Sequence, residues 1–203
     1  MRSNSNPRKD GARIFMTQEL AGFPLQMQER PLQSTYSLVN QLGQSVALAH
    51  QRGVTHGDLN FDNLIVSTEG MLKTYLYGAA CSLHNPDYRL GRAETPYDLV
   101  SKQHASCEVL SGEQPTKTDD VYSAGVLIYE LVSGRHPYDG HSATEALATG
   151  IVPSPIDSID AGAWQHINEM ISLNRENRPK TMEEIFSPAS LQSNSNDRVL
   201  LRA

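Results

Sequence analysis

One short stretch of the chain combines residue types that enzymes use to move protons and to hold polar ligands. It reads Val-Thr-His-Gly-Asp-Leu-Asn-Phe-Asp-Asn over residues 54–63 and brings His56, Asp58 and Asn63 within eight residues. Imidazoles and carboxylates transfer protons, whereas a carboxamide donates and accepts hydrogen bonds. Two interpretations are open from these residues alone: a catalytic loop, or a helix-ending turn in which Asp58 and Asn63 are local caps.

A helix before this stretch and a hairpin after it are predicted to position it. Apolar residues recur every three or four positions over residues 35–51, which predicts a helix that Gly53 ends. After the stretch, short apolar runs at 64–66 and 71–75 are separated by Ser-Thr-Glu-Gly, a pattern typical of a small hairpin. The loop is therefore expected between a helix end and a strand.

A second helix is predicted at the centre of the domain. Thr118 is expected to cap a helix whose first turn carries Asp119 and Asp120, since acidic side chains favour the positive end of the helix dipole. Residues 121–132 are apolar around almost the whole circumference, which is typical of a buried helix, and Gly134 is expected to end it.

The rest of the domain is predicted to be mostly helical. Capping boxes of the form Ser/Thr-x-x-Glu at 142–145 and 181–184 predict two helix starts, and a helix at 163–173 carries the single tryptophan, Trp164. Residues 81–117 show no periodicity and predict a long loop whose hydroxyl groups are expected to be solvated.

Polar ends bracket the domain. Residues 1–13 and 187–203 hold too few apolar side chains to fold alone, which leaves 14–186 as the expected ordered body. Within that body, residues 13–17 predict a short strand, and Ala-Gly-Phe-Pro at 21–24 predicts a break after it.

The composition argues against several classes of protein. The 203 residues include 17 basic and 23 acidic side chains, a net charge of −6 without a basic block, so a nucleic-acid partner is not expected. No apolar run reaches the roughly 20 residues that span a bilayer, and the first residues lack a secretion signal, which predicts a cytoplasmic protein without membrane contact. Cys81 and Cys107 make neither a disulfide framework nor a metal cluster, and the histidines show no paired ligand spacing.

Taken in order, these motifs resemble those of the protein kinase superfamily, of the serine/threonine type. The run from His56 through Asp58 to Asn63 is similar to the family's catalytic loop, His-Arg-Asp followed by Asn. Three further residues match the glutamate that ends Ala-Pro-Glu, the aspartate that opens the central helix and the arginine that pairs with that glutamate, namely Glu108, Asp120 and Arg178. The similarity covers residues 14–186.

The resemblance implies a mainly α (α+β) fold, the C-terminal lobe of a protein kinase: a helical bundle around a buried central helix, with a small β-hairpin beside the catalytic loop. It implies that Asp58 is the catalytic residue, which orients or accepts the proton of the hydroxyl being phosphorylated, and that Asn63 holds Mg²⁺. His56 and the three downstream residues are structural in this comparison. Residues 15–22 resemble the hinge, whose backbone contacts the adenine of ATP at Glu19, Leu20 and Ala21.

The chain departs from the family where phosphate chemistry takes place. The metal-binding Asp-Phe-Gly motif should follow thirteen residues after Asn63, where the chain has Leu76, Tyr77 and Gly78. Leucine offers no oxygen ligand to Mg²⁺, and Asp62 is expected to be ordinary surface rather than a substitute. No Gly-rich loop or Ala-x-Lys strand precedes the hinge, so the upper lobe is expected to be absent.

Two further replacements affect residues that the family uses for regulation by phosphorylation and for contact with the transferred phosphate. Gly57 stands where the family has the arginine that meets a phosphorylated loop, and Asn60 stands where serine/threonine kinases carry a lysine that touches the transferred phosphate. Control by phosphorylation of the long loop is therefore not expected.

The leading hypothesis is a pseudokinase-like module, impaired in phosphate transfer and needing no cofactor, that binds or regulates a protein partner. Such a partner is expected to cover the exposed hinge face. The alternative is a genuine ATP- and Mg²⁺-dependent serine/threonine kinase whose upper lobe lies outside this chain. A small-molecule phosphotransferase is a lesser alternative, because the His-Gly-Asp at 56–58 is similar to the loop of the aminoglycoside kinases.

Overall fold

A computed structural model describes residues 23–25, 32–75, 81–82 and 100–186 of the chain. Several sequence predictions lie outside these residues. They are the strand at 13–17, the hinge residues Glu19, Leu20 and Ala21, the triplet Leu76, Tyr77 and Gly78, and the polar ends at 1–13 and 187–203.

The first part of the described chain contains short strands and one long helix, and the second part is helical. In chain order the elements are β1 (Phe23–Pro24), α1 (Leu32–Gln51), β2 (Val54–Thr55), β3 (Leu64–Val66), β4 (Leu72–Thr74), β5 (Cys81–Ser82), α2 (Cys107–Leu110), α3 (Lys117–Ser133), α4 (Ala143–Thr149), α5 (Ala161–Met170) and α6 (Glu183–Phe186). Short 3₁₀ turns lie at Phe61–Asn63 and Arg175–Asn177. The mainly helical class predicted from the sequence is confirmed.

The predicted hairpin is confirmed, and a third strand joins it. Strands β3 and β4 pair antiparallel with Ile65 opposite Lys73, and β1 pairs antiparallel along the other side of β3. Phe23 and Pro24, the last two residues of the predicted break, form β1, whereas the strand at 13–17 that the break is predicted to end lies outside the described residues. Proline is accepted in β1 because this strand is at the edge of the described sheet, where a missing N–H disrupts no ladder. Strands β2 and β5 form a separate antiparallel pair.

The helix predicted over 35–51 is confirmed as α1, which begins three residues earlier. Its buried face, which includes Leu42 and Val46, packs against α3 and α6. Gly43 is required where α6 crosses this face, because a Cβ at that position would overlap the ring of Phe186. Strand β2 begins three residues after the end of α1, so α1 determines where the loop at 54–63 starts.

The central helix is α3, and the predictions of its burial and of its end are confirmed. Every residue from Asp119 to Glu130 is buried, and Gly134 ends the helix in the left-handed conformation with φ of 72°. The predicted cap at Thr118 is wrong, because Thr116 begins the helix. The N–H of Thr116 donates to the carboxylate of Asp119 at 2.9 Å, and this reciprocal capping box places the helix start two residues earlier.

Predictions for the later helices hold in part. The capping box at 142–145 is confirmed at the start of α4. The helix predicted at 163–173 is α5, which begins two residues earlier behind the cap residue Asp160 and ends at Met170. Trp164 is half-buried against the core, as its helical spacing predicts.

The last described helix, α6, begins at Glu183, within the predicted box at 181–184. The carboxylate of Glu184 accepts the N–H of Lys180 at 3.2 Å, whereas the predicted box expects it to accept the N–H of Thr181. Within the described ranges, the structure has no helix both long and apolar enough to cross a bilayer.

Candidate functional site

The loop that carries Asp58 is anchored from α3 by one buried carboxylate. Asp120 accepts the N–H of His56 at 2.7 Å and the N–H of Gly57 at 2.9 Å. Nε2 of His50, at the end of α1, lies 3.0 Å from the same carboxylate and donates to it, because a carboxylate only accepts. Asp120 is 1% exposed, so these donors stabilise its charge in place of water. Asp120 thereby fixes the backbone immediately before Asp58.

Gly57 has a backbone conformation that suits glycine. Its φ of 78° lies in the left-handed region, where a residue with a Cβ pays about 1–2 kcal/mol. This is the position at which the resemblance expects arginine. The glycine therefore matches the conformation in which Asp120 holds the loop, and an arginine here would strain that backbone.

Asp58 and Asn63 lie side by side, as the resemblance implies. The amide Nδ2 of Asn63 donates to the backbone carbonyl of Asp58 at 2.7 Å and to its Oδ2 at 2.9 Å. The 3₁₀ turn Phe61–Asn63 produces this approach, because it folds the chain back over the five residues that separate the two side chains. With Nδ2 occupied by Asp58, the amide oxygen of Asn63 is the atom left to face a ligand.

Two contacts of Asp58 were not predicted from the sequence. Nδ2 of Asn60 and the backbone N–H of Ser101 each donate to Oδ1 of Asp58 at 2.9 Å. Burial raises the pKa of Asp58 above its ordinary value, and the N–H of Ser101 and the amides of Asn60 and Asn63 oppose that rise. The carboxylate therefore has the partial desolvation that favours proton acceptance, and three donors, two from the loop itself and one from Ser101, hold its orientation.

His56 lies beneath the loop as a neutral side chain. Its Nδ1 accepts the N–H of Asp58 at 3.3 Å, and its Nε2 donates to the carbonyl of Tyr75 at 3.2 Å. Burial lowers the pKa of His56, although the charge of Asp120 acts in the opposite direction. Because Tyr75 immediately precedes Leu76, His56 ties the loop to the chain that leads into the altered triplet.

Glu108 and Arg178 form the ion pair that the resemblance implies. Nη2 of Arg178 lies 3.0 Å from Oε2 of Glu108, and the arginine side chain is 0% exposed. Its Nε donates to the carbonyl of Ser172 at 2.7 Å, and its guanidinium stacks 4.9 Å from the ring centre of Tyr122. Since every part of this buried cation has a partner, the pair holds α2 and the segment after α5 against α3.

This ion pair extends into a network that the sequence analysis missed. Asp119, predicted only as a favourable first-turn acid, accepts from Arg175 at 3.2 Å, from Arg178 at 3.4 Å and from the hydroxyl of Ser106 at 2.7 Å. Arg175 also reaches Glu113 at 2.8 Å. No local pattern signals these contacts, because Asp119 and the two arginines are more than fifty residues apart in the chain.

The ATP and Mg²⁺ that the kinase resemblance implies require a set of oxygen ligands that this chain only partly supplies. Asn63 offers an amide oxygen, whereas the resemblance implies that Leu76, whose side chain has no oxygen ligand, stands at the position of the family's metal-binding carboxylate. Among the described residues, no group of three or more His, Cys, Asp or Glu side chains is arranged to hold a metal ion. If Leu76 takes the position that the resemblance implies, the ligands of this chain do not fit Mg²⁺ held as the family holds it.

Comparison with known proteins gives the chain's family. A model of the protein kinase domain matches residues 15–189, which is most of the chain and includes every site residue named above. The match begins in the segment that resembles a hinge and runs three residues beyond α6.

Curated bacterial relatives agree with that match. The chain is 31% identical over 147 residues to the serine/threonine-protein kinase PkaA of Streptomyces coelicolor, covering 70% of the chain and 26% of the relative. It is 28% identical over 159 residues to the probable serine/threonine-protein kinase PknB of Lactococcus lactis, covering 78% of the chain and 23% of the relative. The chain thus spans about a quarter of these relatives. The sequence motifs, the geometry around Asp58 and the matched length lead to one conclusion: the chain belongs to the protein kinase domain family.

Proposed function

We propose that this chain is the lower lobe of a protein kinase domain, impaired in phosphate transfer, and that it acts as a pseudokinase-like module by binding a protein partner. One observation carries the proposal: Leu76 stands where the family has its metal-binding aspartate, while Asp58 and Asn63 keep their arrangement. The side chains that orient an acceptor hydroxyl are thus present without the carboxylate that holds the phosphates' metal.

The chemical argument rests on charge. Phosphoryl transfer depends on neutralising the negative charge that spreads over the phosphate oxygens, and the bound metal ions supply much of that neutralisation. Replacing a carboxylate with an isobutyl group removes both a hard oxygen ligand and a negative charge. Asp62 is exposed on the 3₁₀ turn and, in the described part of the chain, belongs to no group of three or more His, Cys, Asp or Glu side chains that could hold a metal, so it is a poor replacement.

A binding role is supported by the way the loop is held. Asp120, His56 and the Glu108–Arg178 pair stabilise the loop and its surroundings through contacts within the chain. The lobe can therefore present a fixed surface when no phosphate chemistry takes place. The proposed partner is a protein that covers the hinge face, where the sequence places the apolar residues Phe15, Leu20 and Phe23.

Active phosphate transfer is the second candidate, and the Asp58–Asn63 geometry favours it. In this alternative Asp58 orients the acceptor hydroxyl, Asn63 contributes a metal ligand, and the upper lobe is supplied by chain outside this sequence. The serine/threonine-kinase names of the relatives are consistent with it. Only the His-Gly-Asp motif favours the third candidate, a small-molecule phosphotransferase. A screen of aminoglycoside and sugar acceptors tests that candidate.

A metal-dependence experiment separates these candidates. The 203-residue chain is mixed with ATP, with and without Mg²⁺ or Mn²⁺, and both thermal stability and transfer of labelled phosphate to protein are measured. We expect no metal-dependent shift in melting temperature, and no transfer above that of Asp58→Ala. Transfer that Asp58→Ala abolishes would overturn the proposal.

A gain-of-function variant makes the test sharper. Leu76→Asp restores the family's carboxylate, and Leu76→Asn is the matched control, because it adds a polar group of the same shape without a charge. If the missing carboxylate is what limits metal binding, only Leu76→Asp gains a Mg²⁺-dependent stabilisation by ATP. Equal behaviour of both variants would show that the defect is not at residue 76.

A further inference from the structure

Next to the candidate site, three side chains form a continuous hydrogen-bonded row. The hydroxyl of Ser101 lies 2.9 Å from Nδ1 of His104, and Nε2 of His104 lies 2.8 Å from Oε2 of Glu130. A serine, a histidine and an acid in this order are the components by which enzymes activate a hydroxyl as a nucleophile. None of the three side chains has a role in the function proposed above.

The row fixes where its protons lie. The Glu130 carboxylate only accepts, so Nε2 of His104 carries a proton and donates it. In a neutral imidazole the other nitrogen is then an acceptor, and Nδ1 faces the Ser101 hydroxyl. The hydroxyl therefore donates to a nitrogen that is free to take its proton.

Packing holds the imidazole of His104 in this orientation. The rings of Phe61 and His136 meet it edge-on, with ring centres at 5.9 and 6.2 Å and interplanar angles of 83° and 87°. The carbonyl of His104 also accepts the hydroxyl of Ser123 at 2.8 Å, which fixes the backbone of the residue to α3. Because ring and backbone are both held, contacts within the chain maintain the distance from His104 to Ser101.

The neighbouring histidine does not compete for the proton. Nδ1 of His136 accepts the N–H groups of Tyr138 and Gly140, each at 3.1 Å, and its Nε2 donates to the carbonyl of Gln103 at 3.0 Å. Burial lowers the pKa of His136, in spite of that bond to Gln103. Because its Nδ1 accepts these bonds, His136 is in its neutral form here, and His104 has one charged partner, Glu130, in direct contact.

Access and anchoring complete the arrangement. Ser101 is partly exposed, whereas the side chains of His104 and Glu130 are about one-tenth exposed. The N–H of Ser101 is bound to Asp58, so the serine backbone is fixed while its hydroxyl faces His104. A nucleophile that solvent reaches, with a shielded base and acid behind it, is the order that covalent chemistry requires.

We propose that Ser101 is an activated nucleophile that accepts an acyl group from activated esters, with His104 as the base and Glu130 as its positioning residue. The bond from Ser101 Oγ to the ester carbonyl carbon forms, and the bond from that carbon to the leaving oxygen breaks. The hydroxyl proton passes to Nδ1 of His104 and then to the leaving alkoxide or phenoxide. The product is an acyl ester on Ser101, and neither oxidant, metal nor nucleotide takes part.

The probe is p-nitrophenyl acetate, added to the full 203-residue chain. We expect a burst of one p-nitrophenolate per chain and one acetyl group on Ser101, located by peptide mass spectrometry. Ser101→Ala should abolish the burst, because it removes the hydroxyl and leaves the N–H bond to Asp58 intact. Ser133→Ala is the matched control, since the Ser133 hydroxyl donates to the carbonyl of Tyr129 and not to an imidazole.

Two variants test the base and the acid. His104→Gln should slow acylation on the order of 100-fold, the usual contribution of a positioned base. Glu130→Gln should slow it by about tenfold or more, and Glu130→Asp should recover part of the rate, which a purely structural role does not predict. Circular dichroism confirms that each variant is folded.

Other outcomes would overturn the proposal. Acetylation on Lys102 instead of Ser101, or a burst that His104→Gln and Glu130→Gln leave unchanged in folded protein, would show that the row does not activate the serine. Absence of any burst from the wild-type chain would do the same. The assay contains no nucleotide or metal, so each of these outcomes leaves the proposed pseudokinase role unaffected.

Discussion

The N–H of Gly57 donates to Oδ1 of Asp120 at 2.9 Å, across 63 residues of sequence. This bond joins the left-handed turn of the loop to the first turn of α3, the most buried helix of the described chain. The other oxygen of Asp120 takes the N–H of His56 and Nε2 of His50, so one side chain receives three donors from α1 and the loop. The position of Asp58 therefore depends on a residue that never touches it.

Asp120→Asn should destabilise the protein by about 2–4 kcal/mol, because an amide cannot accept all three donors and its NH₂ faces at least one of them. The measurement is urea unfolding followed by circular dichroism. Asp157→Asn is the matched control, since Asp157 is exposed. A loss below about 0.5 kcal/mol for Asp120→Asn, equal to an ordinary surface change, would contradict the anchoring role.

Arg178→Met should cost about 3–5 kcal/mol, the range for removing one partner of a buried ion pair, since Glu108 and Asp119 lose their shared cation. Lys180→Met is the control, because Lys180 pairs with Glu176 at the exposed surface. Adding Glu108→Gln to Arg178→Met should cost less than the sum of the two single changes. Additive free energies of unfolding would show that the two side chains do not act as a pair.

Gly125→Ala tests the packing of α3 on α5. A Cβ at residue 125 would lie 2.7 Å from Cβ of Met170 and 3.0 Å from Cγ2 of Ile171, so we expect a loss of about 1–3 kcal/mol from overpacking. This loss outweighs the roughly 1 kcal/mol that alanine gains in helix propensity.

Gly162→Ala is the matched control for that substitution, because the atom nearest its Cβ is a carboxylate oxygen of Asp160 at 3.2 Å, at the start of α5. It should be neutral or slightly stabilising. If thermal unfolding gave Gly125→Ala a melting temperature equal to or above that of Gly162→Ala, α3 and α5 would not be in the close contact described.

Stability should fall as the pH drops below about 6.5. Burial lowers the pKa of His56 and of His136, so the unfolded chain binds protons on these residues more readily than the folded chain does. Their contribution is complete above the unfolded pKa of about 6.5 and is lost as the pH falls through the lowered folded values. Urea unfolding at pH 5, 6 and 7 measures the change.

NMR titration of the histidine Cε1 protons assigns this pH dependence to individual residues. His136→Asn should flatten the dependence, since it removes one of the two buried imidazoles. Asp58 acts with the opposite sign at more acidic pH, because burial raises its pKa and its protonation in the folded state is favoured. Titration midpoints at or above 6.5 for both histidines would contradict the prediction.

Much of the fold could be predicted because patterns of neighbouring residues determine where helices and hairpins form. The period of apolar residues predicts α1, the two short apolar runs predict the β3–β4 hairpin, and the all-round apolar run predicts the burial of α3. Gly134 ends α3 as predicted, since a left-handed residue is a local requirement that glycine meets. The motif order also predicts that Asn63 lies beside Asp58, because family motifs keep their order along a chain.

Other features could not be predicted from the sequence, because they depend on contacts between distant parts of the folded chain. Phe23 and Pro24 form a strand only because β3 offers an edge to pair with, and Thr116 replaces Thr118 as the cap because the Asp119 carboxylate reaches its N–H. The contact of Ser101 with Asp58 has no local signal at all. Hydrogen bonds between distant segments depend on side-chain direction in space, which a periodic pattern does not contain.

The sequence by itself determined the family and the mostly helical class, and its resemblance to the family predicts Leu76 at the position of the metal-binding carboxylate. Only the tertiary structure decided that Asp119 is shared by two arginines, and that Ser101, His104 and Glu130 form one row. The physical reason is that helix periods and turn residues act over a few positions. Buried polar groups must instead find partners wherever the fold places them, often many tens of residues away.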